Sequence, residues 1–314
     1  GDKTGGEELN IDEARQVVDK LKKIGVTQIL FTGGEAVLLE YFFDLINYAL
    51  VQGFWTSLST RGYFNEETVR RLAELDLKNI NIGIDSLDSA KHNFFRRVPD
   101  ALEKALFTAM YLRDCGRSVT INITLSRLNV NELDQMLKFC LVNNFKVNIS
   151  RPLPIGNAVA SGKYYLLDKE GEEKAAAVLE QYKETIKISG VRLPGVHFLP
   201  KCRAGQQIVG ISPNGKMSPC VFLKNIDKRL EKDWSEQIPD WSAELNSAPW
   251  TMLKNGEKTC GQCGVRGECQ RGCLAAAISF NEGYDLLCGV EPVEKRKLEF
   301  VTSGFVFNST GDKL

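Results

Sequence analysis

Helical and strand patterns alternate at a regular period through the first 150 residues, and this repeat limits the folds open to the chain. Apolar residues at helical spacing predict helices at residues 11–24, 38–51, 65–75, 100–115 and 131–143. Short runs rich in β-branched residues predict strands at residues 28–31, 55–59, 79–85, 119–125 and 146–150. This order predicts right-handed βαβ crossovers and a parallel α/β sheet, open or closed into part of a barrel.

The first helix carries its own boundary signals. Asn10 is placed as an N-cap, Glu13 occupies the capping-box position, and Gly25 follows the last apolar position of the stripe. Five strands can be counted after this helix, so a sixth strand would have to precede residue 11.

Charge and hydropathy exclude several classes of protein. The chain has 40 basic and 40 acidic residues, a balance that favours neither nucleic acid nor an anionic membrane surface. The longest apolar run, LLEYFFDLINYALVQGF, is interrupted by Glu40, Asp44 and Asn47, so it predicts a buried helix and no membrane span. No secretory signal opens the sequence, and we expect a cytoplasmic protein.

The pattern changes after the loop RPLPIGNAVASGKYY and a polar helix predicted at residues 169–186. From about residue 190 the runs are short and rich in Gly and Pro. Seven of the nine cysteines lie here: Cys202, Cys220, Cys260, Cys263, Cys269, Cys273 and Cys288. In a chain without a signal peptide, such clustering favours a metal site over disulfides. Spacing alone leaves zinc and iron–sulfur clusters equally open.

The segment ILFTGGEAVLL predicts a strand that runs into Gly33, Gly34 and Glu35. Two glycines allow a ligand to approach the backbone closely, and a carboxylate beside them can accept hydrogen bonds from an ammonium group. An ordinary turn from strand to helix, with Glu in the first helical turn, has the same sequence pattern. Polar residues such as Asp85, Ser86 and Asn122 are likewise common at strand ends and caps for structural reasons.

The order of the C-terminal cysteines resembles the SPASM domain of radical S-adenosylmethionine (SAM) enzymes. Its elements run Cys202, Gly215 and Cys220, then CxxCx5Cx3C from Cys260 to Cys273, and finally Cys288. The resemblance implies two auxiliary [4Fe–4S] clusters with interleaved ligands. Cys260, Cys263, Cys269 and Cys288 would bind the distal cluster, and Cys202, Cys220 and Cys273 the proximal one. Some relatives supply a further cysteine just upstream; PGVHFLPKC has none, so an open iron or a ligand such as His197 is implied.

The N-terminal half resembles the SAM-binding barrel of the same enzymes. Its GGE motif would bind the amino group of the methionine moiety, and Arg61 in SLSTRG departs from the Asn usual in the family. The resemblance assigns the contacts with SAM to Gly33, Gly34, Glu35, Ser59, Asp85, Ser86, Asn122 and Leu153. It implies a partial (β/α)6 TIM-like barrel whose first strand is missing from the sequence. The CxxxCxxC motif for the SAM-binding cluster is also absent, and we expect it upstream of residue 1.

These interpretations predict four regions: a partial barrel at residues 1–160, a linking helix at 161–198, a SPASM domain at 199–292 and a tail at 293–314. The resemblance implies an enzyme that cleaves SAM reductively to a 5′-deoxyadenosyl radical, which removes hydrogen from a peptide or protein, most simply a ribosomally made peptide. A crosslink, an epimerised residue or an oxidised residue would result. The electron would come from a flavodoxin or ferredoxin. A formylglycine-forming, sulfatase-maturing enzyme and a non-catalytic zinc-stabilised interaction protein are the alternatives.

Overall fold

The computed structural model describes residues 8–150, 152, 165–182, 185, 204–205, 207–223 and 230–236. These residues fall in two compact units. Residues 8–150, 167–182 and 185 belong to the larger unit, and the others belong to the smaller one.

Parallel strands and surface helices alternate through the larger unit. Its strands are β1 Gln28–Phe31, β2 Trp55–Thr60, β3 Asn79–Gly83, β4 Val119–Thr124 and β5 Lys146–Ser150. Its helices are α1 Ile11–Lys23, α2 Phe42–Val51, α3 Glu66–Glu74, α4 Ser89–Arg96, α5 Ala101–Asp114, α6 Leu133–Val142 and α7 Lys169–Tyr182. The strands pair in the order β1-β2-β3-β4-β5, and every pair is parallel. The five predicted strands and the α/β class are confirmed.

The capping prediction for α1 is also confirmed. The Asn10 side chain accepts hydrogen bonds from the backbone N–H groups of Asp12 and Glu13, and the Glu13 carboxylate accepts one from the Asn10 N–H. Such a cap stabilises a helix by roughly 1 kcal/mol.

Two faces of the sheet differ in chemistry. Leu58, Ile80, Ile82, Ile121 and Ile149 are at most 1% exposed and alternate with half-buried positions along their strands. The buried set packs under the helices, because α5 contacts β3 and β4, and α6 contacts β5. The opposite face carries mainly polar residues: Ser57, Ser59, Asn79, Asn81, Thr120, Asn122, Thr124, Lys146, Asn148 and Ser150.

The predicted helix at 38–51 begins later than the pattern indicated. A short 3-10 turn, Ala36–Leu38, comes first, and α2 starts at Phe42. Glu35 is extended, with φ −153° and ψ 99°, and its carboxylate turns back toward the end of β2 instead of entering a helix. The helix α4 was not predicted, although Asp88 caps its first turn by accepting from the Lys91 N–H.

The smaller unit contains a three-stranded antiparallel sheet, formed by β6 Gly210–Ile211, β7 Lys216–Ser218 and β8 Lys232–Asp233. Gly215, with φ +78°, makes the tight turn between β6 and β7, a conformation that favours glycine. Within the described ranges, no helix combines the length and the apolar character that crossing a membrane requires.

Candidate functional site

Glu35 links the carboxyl ends of β1 and β2. Its two carboxylate oxygens lie 2.8 Å from the Thr60 hydroxyl, which donates to them, and Oε2 accepts a hydrogen bond of 2.9 Å from the Arg61 N–H. Thr60 is itself fixed, because its Oγ1 accepts from the Gly62 N–H. A negative charge is thereby held in a defined position at the end of the parallel sheet, where α/β proteins bind ligands.

The backbone beside Glu35 is open. A Cβ atom built on Gly33 or Gly34 would have no heavy atom of the described residues within 4 Å, and Gly33 has φ +135°, which favours glycine. Packing therefore does not explain the lack of a side chain at either position. The space lets another molecule reach the strand-end backbone, as the sequence interpretation required.

Polar groups on the amino half of the polar face satisfy one another. Asn79 Oδ1 accepts from the hydroxyls of Ser118 and Thr120, and its Nδ2 donates to Asn81 Oδ1 at 2.9 Å. Lys146 Nζ donates to Ser118 Oγ at 2.8 Å. This hydrogen-bonded network is complete in itself, so it requires no ligand.

Asn122 differs from this network. It lies on the polar face, paired in register with Gly83 on β3, and its buried Oδ1 has no hydrogen-bond partner in the part of the chain that the structure describes. A buried acceptor left unpaired costs on the order of 1–3 kcal/mol. The atom therefore matches a ligand that brings a hydrogen-bond donor, such as a hydroxyl group, to the carboxyl end of β4.

The remaining predicted contact residues differ in availability. Ser59 is half-buried on the polar face. Ser86 is 3% exposed, and its hydroxyl donates to Glu132 Oε2 at 2.5 Å and accepts from the Asp88 N–H. Asp85 is also 3% exposed and accepts from the Thr124 N–H at 2.8 Å. Both residues hold the loops after β3 and β4, so the structure gives each an internal structural role.

Arg96, which was not predicted, reaches the site from the end of α4. Its Nη2 lies 2.5 Å from Asp85 Oδ2, and a Cβ atom built on Gly83 would lie only 2.7 Å from the same nitrogen. The guanidinium thus crosses the β3 backbone where only glycine leaves room, next to Asn122. The one available sequence signal was Gly83 between two isoleucines, since glycine inside a strand often marks a close approach.

Asn129 and His92 brace the same strand ends and were also missed. Asn129 donates to the carbonyl groups of Asp85 and Thr124, and its Oδ1 accepts from the Ser126 N–H. His92 is fully buried, and its Nδ1 accepts from the Asp85 N–H at 3.2 Å. Burial is the main reason that the pKa of His92 falls to about 4. The negative charge of Asp85 raises this pKa, and the positive charge of Arg96 lowers it.

Stability should depend on pH through His92. Because the pKa is about 4 in the folded protein and 6.5 ordinarily, the unfolded chain binds a proton first as the pH falls. The resulting loss of stability begins near pH 6.5 and is complete near pH 4. Lowering the pH from 7 to 4.5 should reduce the free energy of unfolding by roughly 2 kcal/mol through His92 alone. Urea unfolding at the two pH values measures it, and His92→Asn, which retains an acceptor for the Asp85 N–H, should show a pH dependence smaller by that amount. Equal pH dependence in both proteins would contradict this role.

A cavity of about 120 Å³ lies on the α4 side of these strand ends, with Phe94 and Leu128 among its lining residues. Ligand pockets for drug-sized molecules usually measure roughly 300 Å³ or more. The cavity is thus too small for a nucleotide-sized molecule, and the open end of the sheet near Glu35 and Asn122 is the candidate site.

Several predicted residues lie outside the described residues: Leu153, Cys202, Cys260, Cys263, Cys269, Cys273, Cys288 and His197. Cys220 is described and half-buried, and it lies two residues after the end of β7. Cys140 is buried on α6, and burial raises the pKa of its thiol to about 12. Cys115 is exposed at the C-terminal end of α5, where it is the C-cap residue.

These strand ends present a fixed carboxylate, open glycine backbone and an unpaired buried acceptor on one edge of a parallel sheet. The fold and the site define an α/β protein whose strand ends offer a fixed hydrogen-bond acceptor suited to a cationic group. Residues 1–140 match the model of the radical SAM superfamily. This part of the chain is a radical SAM domain. The cofactors of this family are SAM and a [4Fe–4S] cluster.

Known proteins resemble the chain over most of its length. An AdoMet-dependent heme synthase of Nitratidesulfovibrio vulgaris is 25% identical, covering 91% of this chain and 85% of that protein. A PqqA peptide cyclase of Granulibacter bethesdensis is 24% identical, covering 95% and 83%. The crystal structure of Streptococcus suis SuiB bound to its precursor peptide SuiA superposes with a TM-score of 0.68 at 18% identity, covering 90% of this chain and 71% of that one. The likeness to SuiB confirms the partial-barrel fold.

Proposed function

We propose that this protein is a peptide-modifying radical SAM enzyme that binds SAM at the carboxyl ends of β1 to β4. Glu35 would accept the ammonium group of the methionine moiety, Gly33 and Gly34 would let that moiety lie against the backbone, and Asn122 would accept a hydroxyl group. Ser59 and Leu153 are assigned to the same site by resemblance. The single observation that carries the proposal is the position of the Glu35 carboxylate. Thr60 and Arg61 hold it by hydrogen bonds, and the space beside Gly33 and Gly34 is open among the described residues.

Bound SAM, when it receives one electron, supplies a 5′-deoxyadenosyl radical able to remove hydrogen from an unactivated carbon atom. The residues of the chain orient the molecule and exclude water. Glu35 fixes one end through its charge, and Asn122 fixes another through a directional hydrogen bond. Arg96, Asp85 and Asn129 keep the strand ends in place, which preserves the alignment that hydrogen transfer requires. An external flavodoxin or ferredoxin would provide the electron. The reducing cytoplasm suits the many thiols of the chain.

The C-terminal cysteines would hold two auxiliary [4Fe–4S] clusters. Thiolates are the usual ligands of such clusters, and seven cysteines would leave one iron with a non-cysteine ligand. Cys260, Cys263, Cys269 and Cys288 are assigned to one cluster, and Cys202, Cys220 and Cys273 to the other. Stoichiometric zinc without iron in anaerobically purified protein would favour the non-catalytic alternative.

Cys273→Ala should cost the protein one auxiliary cluster and leave the other. About four iron atoms per chain should be lost in iron and acid-labile sulfide analysis, since one [4Fe–4S] cluster holds four. Cys115→Ala is the matched control, because Cys115 lies on the surface of the barrel unit, and its iron content should equal that of the wild type. Loss of both clusters, or of neither, would contradict the interleaved assignment.

A peptide is the proposed substrate, supported by the peptide-cyclase relative and by the fold shared with SuiB. A second candidate, a heme precursor, is favoured by the relatives named heme synthase, of which one covers 91% of this chain. One experiment distinguishes the peptide from the heme precursor as substrate. The protein expressed from its complete gene is reduced with SAM and offered short peptides encoded beside that gene, or iron-porphyrin precursors, and products are identified by mass spectrometry. A mass change confined to the peptide supports the proposal, and one confined to the porphyrin overturns it.

A further inference from the structure

Arg61 stands beside the Glu35 carboxylate at the ends of two neighbouring strands. The backbone N–H of Arg61 donates to Glu35 Oε2 at 2.9 Å, so the Arg61 side chain begins within a few atoms of the anionic group. β1 and β2 are adjacent and parallel, and both residues follow the last residues of their strands. The structure therefore places one fixed anion and one cation together at the open edge.

Among the described residues, the guanidinium of Arg61 has no hydrogen-bond or ion-pair partner, and the residue is exposed. Most other cations near the strand ends are engaged: Arg96 pairs with Asp85, Lys91 with Glu132 and Arg127 with Asp168. A flexible arginine can serve solubility alone. This one, however, has its main chain fixed by the same carboxylate that forms the candidate site.

The charges of Arg61 and Glu35 both act on the phenol of Tyr63. Burial raises the pKa of its phenol, and the charges of Arg96, Asp85, Arg61 and Glu35 act on it as well. The charge of Arg61 lowers the pKa of Tyr63, and the charge of Glu35 raises it.

We propose that Arg61 binds the α-carboxylate of the same amino-acid group whose ammonium is accepted by Glu35, so that the two residues form a binding pair for a zwitterion. In an α-amino acid the ammonium and the carboxylate sit on one carbon atom, and a carboxylate and a guanidinium side by side are complementary to both. A guanidinium also binds carboxylates through two parallel hydrogen bonds. Asn, the residue usual here in the resembling family, carries no charge. The inference rests on the proposed function, because it takes SAM as the molecule that carries the amino-acid group.

Decarboxylated SAM provides the test, because it retains the ammonium and lacks the carboxylate. Equilibrium dialysis would measure binding of SAM and of decarboxylated SAM to the anaerobically purified protein, expressed from its complete gene. In the wild type SAM should bind about 10- to 100-fold more tightly than decarboxylated SAM. Arg61→Gln should weaken the binding of SAM by that factor and leave the binding of decarboxylated SAM unchanged, so the preference for SAM disappears. Arg61→Lys should restore part of it.

Arg70→Gln is the matched control, since Arg70 is an exposed arginine on α3 that pairs with Glu66, one turn away. It should bind both molecules as the wild type does. If Arg61→Gln keeps the preference for SAM, or weakens the binding of both molecules equally, the proposed pairing of Arg61 with the carboxylate is wrong even though SAM binds. If neither molecule binds the wild type, the proposed function fails and the inference falls with it.

Discussion

Replacing Glu35 with glutamine is expected to weaken SAM binding about 100-fold, on the order of 3 kcal/mol, which is the upper range for a hydrogen bond to a charged group. The glutamine has the same shape, but it loses the negative charge. Its amide nitrogen also cannot accept from the Thr60 hydroxyl or from the Arg61 N–H, which now donate to the two carboxylate oxygens. Binding of radiolabelled SAM to the anaerobic protein measures the effect. Folding should change little, because Glu35 is only half-buried.

Glu40→Gln is the control for this change, because Glu40 is an exposed glutamate five positions along the chain. It removes the same charge and should leave binding within about twofold of the wild type, as for surface substitutions in general. Equal affinities for Glu35→Gln and the wild type would show that the ammonium group is bound elsewhere.

Asp85→Ala is expected to destabilise the barrel unit by about 3–5 kcal/mol, the range found when one partner of a buried ion pair is removed. Asp85 is 3% exposed, and the Arg96 side chain facing it is 21% exposed. The substitution leaves a largely buried guanidinium without its anion and the Thr124 N–H without its acceptor. Urea unfolding followed by circular dichroism gives the change in free energy.

Asp114→Ala serves as its control. Asp114 is paired with Arg113 but is 66% exposed, so solvent screens the pair and the substitution should cost less than about 0.5 kcal/mol. A loss below roughly 1 kcal/mol for Asp85→Ala would mean that Arg96 is not held in the site by this carboxylate.

Local patterns were enough to predict the sheet. Each strand and its following helix carry periodic apolar residues, and signals such as the Asn10 cap concern neighbours three positions apart. The GGE turn was predicted for the same reason, since Gly33, Gly34 and Glu35 are contiguous. These features depend on the backbone and on nearest neighbours, which the sequence displays directly.

The partners of the site residues could not be predicted, because they lie far apart in the chain. Ser86 was assigned to the cofactor, yet its hydroxyl contacts Glu132, 46 residues away. Arg96 belongs to a helix whose short apolar pattern is weak, and it reaches the site only because Gly83 leaves space across β3. Whether a strand-end polar atom is hydrogen-bonded, as Asp85 Oδ1 is, or lacks a partner among the described residues, as Asn122 Oδ1 does, depends on register and loop packing.

Cleavage of SAM tests the central claim, that the ends of these strands bind SAM for radical chemistry, most directly. The protein expressed from its complete gene, with its iron–sulfur clusters intact, is mixed anaerobically with SAM and dithionite, and 5′-deoxyadenosine is measured by liquid chromatography. We predict that the wild type and Glu40→Gln form 5′-deoxyadenosine and methionine in equal amounts, and that Glu35→Gln forms far less at the same SAM concentration. Formation of no 5′-deoxyadenosine by the cluster-loaded wild type, or equal formation by Glu35→Gln, would contradict it.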